Sequence, residues 1–133
     1  MNQAPLNQDS AEIESFSQLS GQWWVPDGPF KALHDMNIPR LSFIKNQAAD
    51  LLPAQKNLRI LDVGCGGGIL CEPLARLGHE VTGLDASSEG ILSAKAHAMS
   101  MELVIDYVQE DISVFKASVI CFMDFESFLV FAK

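Results

Sequence analysis

The order of apolar and polar positions divides the chain into three stretches. In the first, Ile13, Phe16 and Leu19 recur at helical spacing and predict a short amphipathic helix ending near Gly21. Pro26-Asp27-Gly28-Pro29 has the chemistry of a turn. Pro39 can open a second helix, because a missing N–H is no loss in a first turn. Leu41, Ile44, Ala48 and Leu51 would line one face of that helix, and Pro53 marks its end. Residues 1–57 are therefore expected to form an N-terminal helical cover.

From Leu58 the period changes. Leu58 to Val63 is a short apolar run rich in β-formers, and glycines follow at once. Ile69 to Leu77 reads as a helix with Pro73 in its first turn and Gly78 as its C-cap. Glu80 to Leu84 predicts a second strand that ends at Asp85. Ser87 or Ser88 can cap a helix reaching about Met99, with Ile91, Ala94 and Ala98 facing inward. Leu103 to Val108 reads as a third strand. Strand, helix, strand, helix, strand at this spacing predicts right-handed βαβ units. The expected fold over 58–112 is α/β, a partial Rossmann-like parallel sheet flanked by helices. Residues 113–133 break the pattern. Phe122, Phe125, Phe128 and Phe131 recur every three residues with no glycine to divide them. This divergent tail could be one strand plus one helix, or have no settled place.

Charge narrows the function classes. Nine Lys and Arg stand against 17 Asp and Glu, a formal net charge of -8. The basic residues are scattered singly, so nucleic acid is not an expected partner. The cysteines are Cys65, Cys71 and Cys121, an odd number with no CxxC pair, which argues against a disulfide framework or a zinc site and for a reducing compartment. The first residues are acidic and lack arginine, unlike a signal or transit peptide. No apolar run reaches the roughly 18 residues of a spanning helix.

Asp62-Val63-Gly64-Cys65-Gly66-Gly67-Gly68 sits where a strand should meet a helix. Gly64 and Gly66 can take positive φ or admit a ligand without a Cβ clash. The N–H groups that open the following helix could hold a carboxylate as readily as a phosphate. The sixth position of a dinucleotide fingerprint is here Ile69, and Asp62 would repel a pyrophosphate while meeting a cationic amino group, directly or through water. Both features favour S-adenosylmethionine over NAD. A bare glycine turn is otherwise only a tight loop. Asp85 falls roughly 20 residues on, where an acid can grip both hydroxyls of a ribose; alternatively it merely caps the helix that begins near Ser87. Asp111, after the third strand, could reach an adenine amino group or be a solvated loop acid.

Trp23-Trp24, Phe30 to His34, Asn37 and Arg40, Leu61 to Leu70, Val81 to Asp85 and Asp106 to Glu110 together resemble the O-methyltransferases of ubiquinone biosynthesis. The likeness covers about residues 12–111. The glycine motif is common to many methyltransferases; the double tryptophan with the Leu-His and Asn…Arg block is more specific. The resemblance implies an S-adenosylmethionine-dependent enzyme that methylates phenolic hydroxyls of polyprenylated catechol-type intermediates. It also implies peripheral association with a membrane, a ubiquinone-biosynthesis complex, and a place on the matrix side of the mitochondrial inner membrane or in a bacterial cytoplasm. Carried over by position, Arg40, Gly64 and Asp85 would contact the cofactor, beside Asp62 and Gly66 from the loop itself. Mg²⁺ would be bound in the family by a Glu-x-x-Glu-His motif after the fourth strand. Here no histidine follows His97, so no metal site and no catalytic base are assigned. The expectation is a chain that stops before its active site is complete, with a truncated, non-catalytic isoform or fragment as the alternative to an active enzyme.

Overall fold

The computed structural model describes residues 20–54, 56–111, 113, 120–123 and 128–132. The expected helix around Ile13, Phe16 and Leu19 lies outside the described residues. A single 3₁₀ turn, Ser20–Gln22, leads into two helices, α1 (Lys31–Asp35) and α2 (Asn37–Leu51). Pro39 is the third residue of α2, where its lack of an N–H costs no intrahelical bond. The first such bond runs from the Arg40 N–H to the Met36 carbonyl.

Three parallel strands follow: β1 (Arg59–Val63), β2 (Glu80–Asp85) and β3 (Asp106–Gln109). Between them run α3 (Cys71–Arg76) and α4 (Ser88–Ser100). Ser87 is the N-cap of α4; its hydroxyl accepts from the Gly90 N–H at 3.2 Å. Strand alternation puts Ile60, Val81 and Tyr107 on one face, where they share a core with Ile44 and Ala48 of α2, Leu74 of α3, and Ile91, Ala94 and Ala98 of α4. Two successive right-handed crossovers in one direction place both helices on that same face. Leu61 and Leu84 are buried on the other face, with Val63 and Val108 packed against them.

Two boundaries differ from expectation for identifiable reasons. The third strand begins at Asp106, not Leu103, because Leu103 is used to end α4. Glu102 takes φ +56°, and the Leu103 N–H reaches back to the Ala98 carbonyl at 2.9 Å. The helix after the glycines begins at Cys71, not Ile69, because positive φ at Gly66 and Gly68 prolongs the turn.

The larger difference is in the tail. It holds two strands, β4 (Ile120–Met123) and β5 (Phe128–Ala132), paired antiparallel with each other. β5 also pairs antiparallel with β1, Val63 opposite Phe128 and Arg59 opposite Ala132. The sheet order is β3-β2-β1-β5-β4. Phe122, Phe128 and Phe131 thus lie on strands, and Phe125 lies outside the described residues; an apolar run of that length does not by itself distinguish strand from helix.

Candidate cofactor site

The glycine turn crosses the carboxyl ends of β1 and β2. The Gly64 and Cys65 N–H groups both donate to the Leu84 carbonyl, at 2.7 and 3.0 Å, which folds the turn over the end of β2. Gly64, Gly66 and Gly68 have φ of +79°, +53° and +86°, a region that L side chains with a Cβ rarely adopt.

The glycines serve different purposes. A Cβ at Gly64 would meet none of the described residues within 4 Å, so among them this glycine has an open face. A Cβ on Gly66 or Gly67 would lie 2.4 Å from the Trp23 ring. Trp23 is buried, stacked on Phe30 with centroids 3.7 Å apart, and lies across this part of the turn. The sequence expectation that Gly66 admits a ligand therefore meets an indole in the same place. Gly66 also spends its N–H on the Asp85 carboxylate, at 2.9 Å.

Asp85 ends β2 as expected. Its Oδ2 accepts from Gly66 and its Oδ1 from the Ser87 N–H at 2.8 Å. It braces the turn and the start of α4 at once, although Ser87, not Asp85, is the cap. Each carboxylate oxygen has a second lone pair, so acceptor capacity remains for a diol. Asp62 is almost wholly buried beneath the turn, its Oδ2 accepting from the Cys71 thiol at 3.3 Å. Asp111 is buried and accepts from the Ser113 N–H at 2.8 Å. Arg40 is buried on α2, one turn beyond Asn37.

Two residues that sequence reasoning gave no such role hold the turn from outside. The Trp24 indole N–H donates to the Gly67 carbonyl at 2.8 Å, and the Asn37 side-chain amide donates to the Ile69 carbonyl at 2.9 Å. These partners lie 43 and 32 residues apart in sequence, and no local pattern announces them. Because Asn37 and Arg40 share a face of α2, the bond from Asn37 also brings Arg40 to the loop side of that helix.

Two buried thiols, Cys65 in the turn and Cys71 at the start of α3, lie above the ordinary thiol range. The Cys71 thiol is pushed well above its usual range by its hydrogen bond to Cys65, by burial and by the charge on Asp62. Cys65 is pulled down by its contact with Cys71, but burial and the charges of Asp62 and Asp85 outweigh this and raise it. Both stay protonated and neither is a candidate nucleophile. Among the described residues no three His, Cys, Asp or Glu side chains converge to hold a metal ion.

Residues 60–128 match the family model described as a methyltransferase domain. The chain belongs to the class I methyltransferases. The ubiquinone biosynthesis O-methyltransferase of Mesorhizobium japonicum is 50% identical to this methyltransferase over 106 residues, 74% of the present chain and 43% of the relative. That of Bartonella quintana is 44% identical over 115 residues, 80% of this chain and 46% of the relative. The chain thus spans less than half the length of these curated relatives. Among solved structures, the magnesium protoporphyrin IX methyltransferase of Synechocystis, determined with bound S-adenosylmethionine, superposes with a TM-score of 0.57 at 19% identity, covering 86% of this chain and 60% of that one. Coclaurine N-methyltransferase superposes with a TM-score of 0.50 at 21% identity over 62% of this methyltransferase and 24% of its own chain. These two likenesses concern the fold: a parallel sheet with helices, of the Rossmann-like methyltransferase kind.

Proposed function

We propose that this chain holds S-adenosylmethionine for O-methylation in ubiquinone biosynthesis, with phenolic hydroxyls of polyprenylated catechol-type intermediates as the acceptors. The observation that carries the reading is the open face of Gly64 in a turn whose Gly66 is bonded to the Asp85 carboxylate, at the carboxyl ends of two parallel strands. Open α/β sheets bind ligands at that end. The names of the curated relatives support the pathway.

In this reading Gly64 lies against the amino-acid portion of the cofactor, and Asp85 accepts from the ribose hydroxyls with its remaining lone pairs. Arg40 is the cation for the cofactor carboxylate; a guanidinium suits that task because it can donate two parallel bonds. Asp62 acts from beneath, favouring a positive charge that enters the turn. When bound, the sulfonium supplies a methyl group open to in-line attack. The protein's contribution is chiefly alignment, since a held nucleophile and electrophile react as one molecule. A polyprenylated acceptor belongs to a lipid phase, so the enzyme would meet it at a membrane surface. No helix among the described residues is long and apolar enough to cross a membrane. The proposed location is the matrix face of the mitochondrial inner membrane.

A second reading, a non-catalytic fragment that binds the cofactor weakly, is favoured by one feature: Trp23 occupies the face of Gly66 and Gly67. Equilibrium dialysis with labelled S-adenosylhomocysteine and with NAD tests the first step, and retention of the former alone is expected. Methyl transfer to a short-chain prenyl catechol, with and without Mg²⁺, then separates the two readings. Tight NAD binding with no retention of the sulfur nucleoside would overturn both.

A further inference from the structure

Outside the glycine turn, one buried polar chain is left unexplained by cofactor binding. Glu72, on α3, has no exposed surface. Its Oε1 accepts from Arg76 at 3.1 Å and its Oε2 meets His97 Nδ1, on α4, at 2.5 Å. A carboxylate can only accept, so Nδ1 carries the hydrogen. The His97 ring lies flat on the Trp24 indole, centroids 3.7 Å apart and planes parallel. His34, on α1, meets the same indole edge-on at 5.4 Å and joins the Trp23 carbonyl through Nε2 at 2.8 Å. The Trp24 indole N–H in turn ends on the Gly67 carbonyl.

A fully buried carboxylate is costly unless well paired. This one is paired so that an imidazole is held in a single plane, and that plane is the one on which Trp24 rests. Imidazole stacking fixes the indole ring, and the ring direction fixes where its N–H points. The chain of contacts therefore runs from a buried ion pair to one peptide group of the cofactor turn. Glu72 is coupled to the turn a second way, because its own N–H donates to the Gly68 carbonyl at 3.2 Å. A turn with several positive-φ residues has other peptide orientations within reach, and anchoring one carbonyl removes them.

We propose that His97, oriented by Glu72, is a positioning residue for the cofactor turn: it seats Trp24 so that the indole N–H holds the Gly67 carbonyl in the binding orientation. The inference rests on the reading that this turn holds the nucleoside cofactor. It concerns affinity gained by preorganisation, not a contact with the ligand.

The experiment compares the full chain with His97→Ala, Glu72→Gln and Trp24→Phe. Two quantities are read: affinity for S-adenosylhomocysteine, and hydrogen exchange of the two indole N–H groups by nitrogen-edited NMR. His97→Ala and Glu72→Gln should speed exchange at Trp24 and leave Trp23 unchanged. All three variants should weaken binding by roughly 3- to 10-fold, the worth of one hydrogen bond. Trp24→Phe keeps an aromatic ring for packing and loses only the donor, so it covers the case in which His97→Ala fails to fold. Unchanged affinity in Trp24→Phe, or faster Trp24 exchange with unchanged affinity in His97→Ala, overturns the inference. Failure of the unaltered chain to bind S-adenosylhomocysteine instead overturns the cofactor reading, and exchange at Trp24 then still reports whether the clasp exists.

Discussion

Gly64→Ala and Gly68→Ala make the same chemical change four residues apart and should have opposite consequences. At both sites the backbone is left-handed, φ +79° and +86°, and an alanine there costs about 1–2 kcal/mol. At Gly64 nothing further is expected of the free protein, because the added methyl enters open space. At Gly68 the methyl would lie 2.2 Å from the Tyr107 hydroxyl, which is buried in the main core. Displacing a packed ring adds about 1–3 kcal/mol, for a total near 2–5 kcal/mol. For ligand binding the order reverses. If the cofactor lies on Gly64, the same methyl intrudes on it and should weaken binding by about 10- to 100-fold. Urea denaturation gives the stabilities, and calorimetric titration with S-adenosylhomocysteine gives the affinities. Expected are a modest stability loss with a large affinity loss for Gly64→Ala, and a large stability loss for Gly68→Ala. Unimpaired affinity in a folded Gly64→Ala variant would refute the assignment of that open face to the cofactor.

Ser87→Ala removes the cap of α4 and should cost about 1 kcal/mol, with Ser87→Gly losing only a few tenths, both read from the shift in the urea midpoint. Alkaline pH should destabilise the fold in two stages, because burial raises the Tyr107 phenol far above its ordinary value and the Cys65 contact and burial raise the Cys71 thiol. A raised folded value means that stability is complete below the unfolded value and declines as pH rises past it. The decline begins near pH 8.5 for the thiol and near pH 10 for the phenol, by about 1.4 kcal/mol per pH unit for each group. Tyr107→Phe should abolish the second stage in urea titrations between pH 8 and 11, and its persistence would disprove the attribution. Val130→Pro should weaken the β1–β5 pairing at Leu61 and lower stability while leaving cofactor affinity intact, since Gly64 and Cys65 are tied to β2 and not to β5. A parallel fall in affinity of the folded variant, measured by calorimetry, would show that β5 holds the turn.

The parallel half of the sheet was legible because each strand ends in a strong signal. Glycines follow Val63, Asp85 ends the second strand, and Gly78 ends the helix between them with φ +93°. The periodicity of Ile91, Ala94 and Ala98 correctly marked the buried face of α4. Asp85 was legible as the acid that ends the second strand, because its spacing from the glycines reflects one βαβ unit; its bond to the Gly66 N–H was not. What the glycines touch was not legible. Gly66 and Gly67 are small because an indole from residue 23 lies on them, a contact that depends on how a separate helical segment folds back. The same is true of Trp24, Asn37, Glu72 and His97, whose partners are tertiary. The tail was ambiguous because strand and helix make equal use of a short apolar run, and only pairing with β1 decides between them.

The pairing of β5 with β1 also shapes what can surround a methyl acceptor. β1 stands where the strand order turns, with β2 and β3 on one side and β5 and β4 on the other. A parallel neighbour on that second side would bring the end of a strand, and whatever follows it, beside Gly64. β5 runs the other way. Its first residue, Phe128, lies opposite Val63, and its last, Ala132, lies opposite Arg59, roughly 13 Å away along β1. Groups that follow β5 therefore start from the amino end of β1, the end of the sheet away from the turn. Besides Asp85 of β2 and Tyr107 of β3, the side chains brought to the turn come from the amino-terminal segment: Trp23 across two glycines, and Trp24 and Asn37 on its carbonyls, with Arg40 on the same helical face as Asn37. In this architecture it is the amino-terminal segment, more than the strands beyond β1, that packs on and anchors the turn from Gly66 to Ile69.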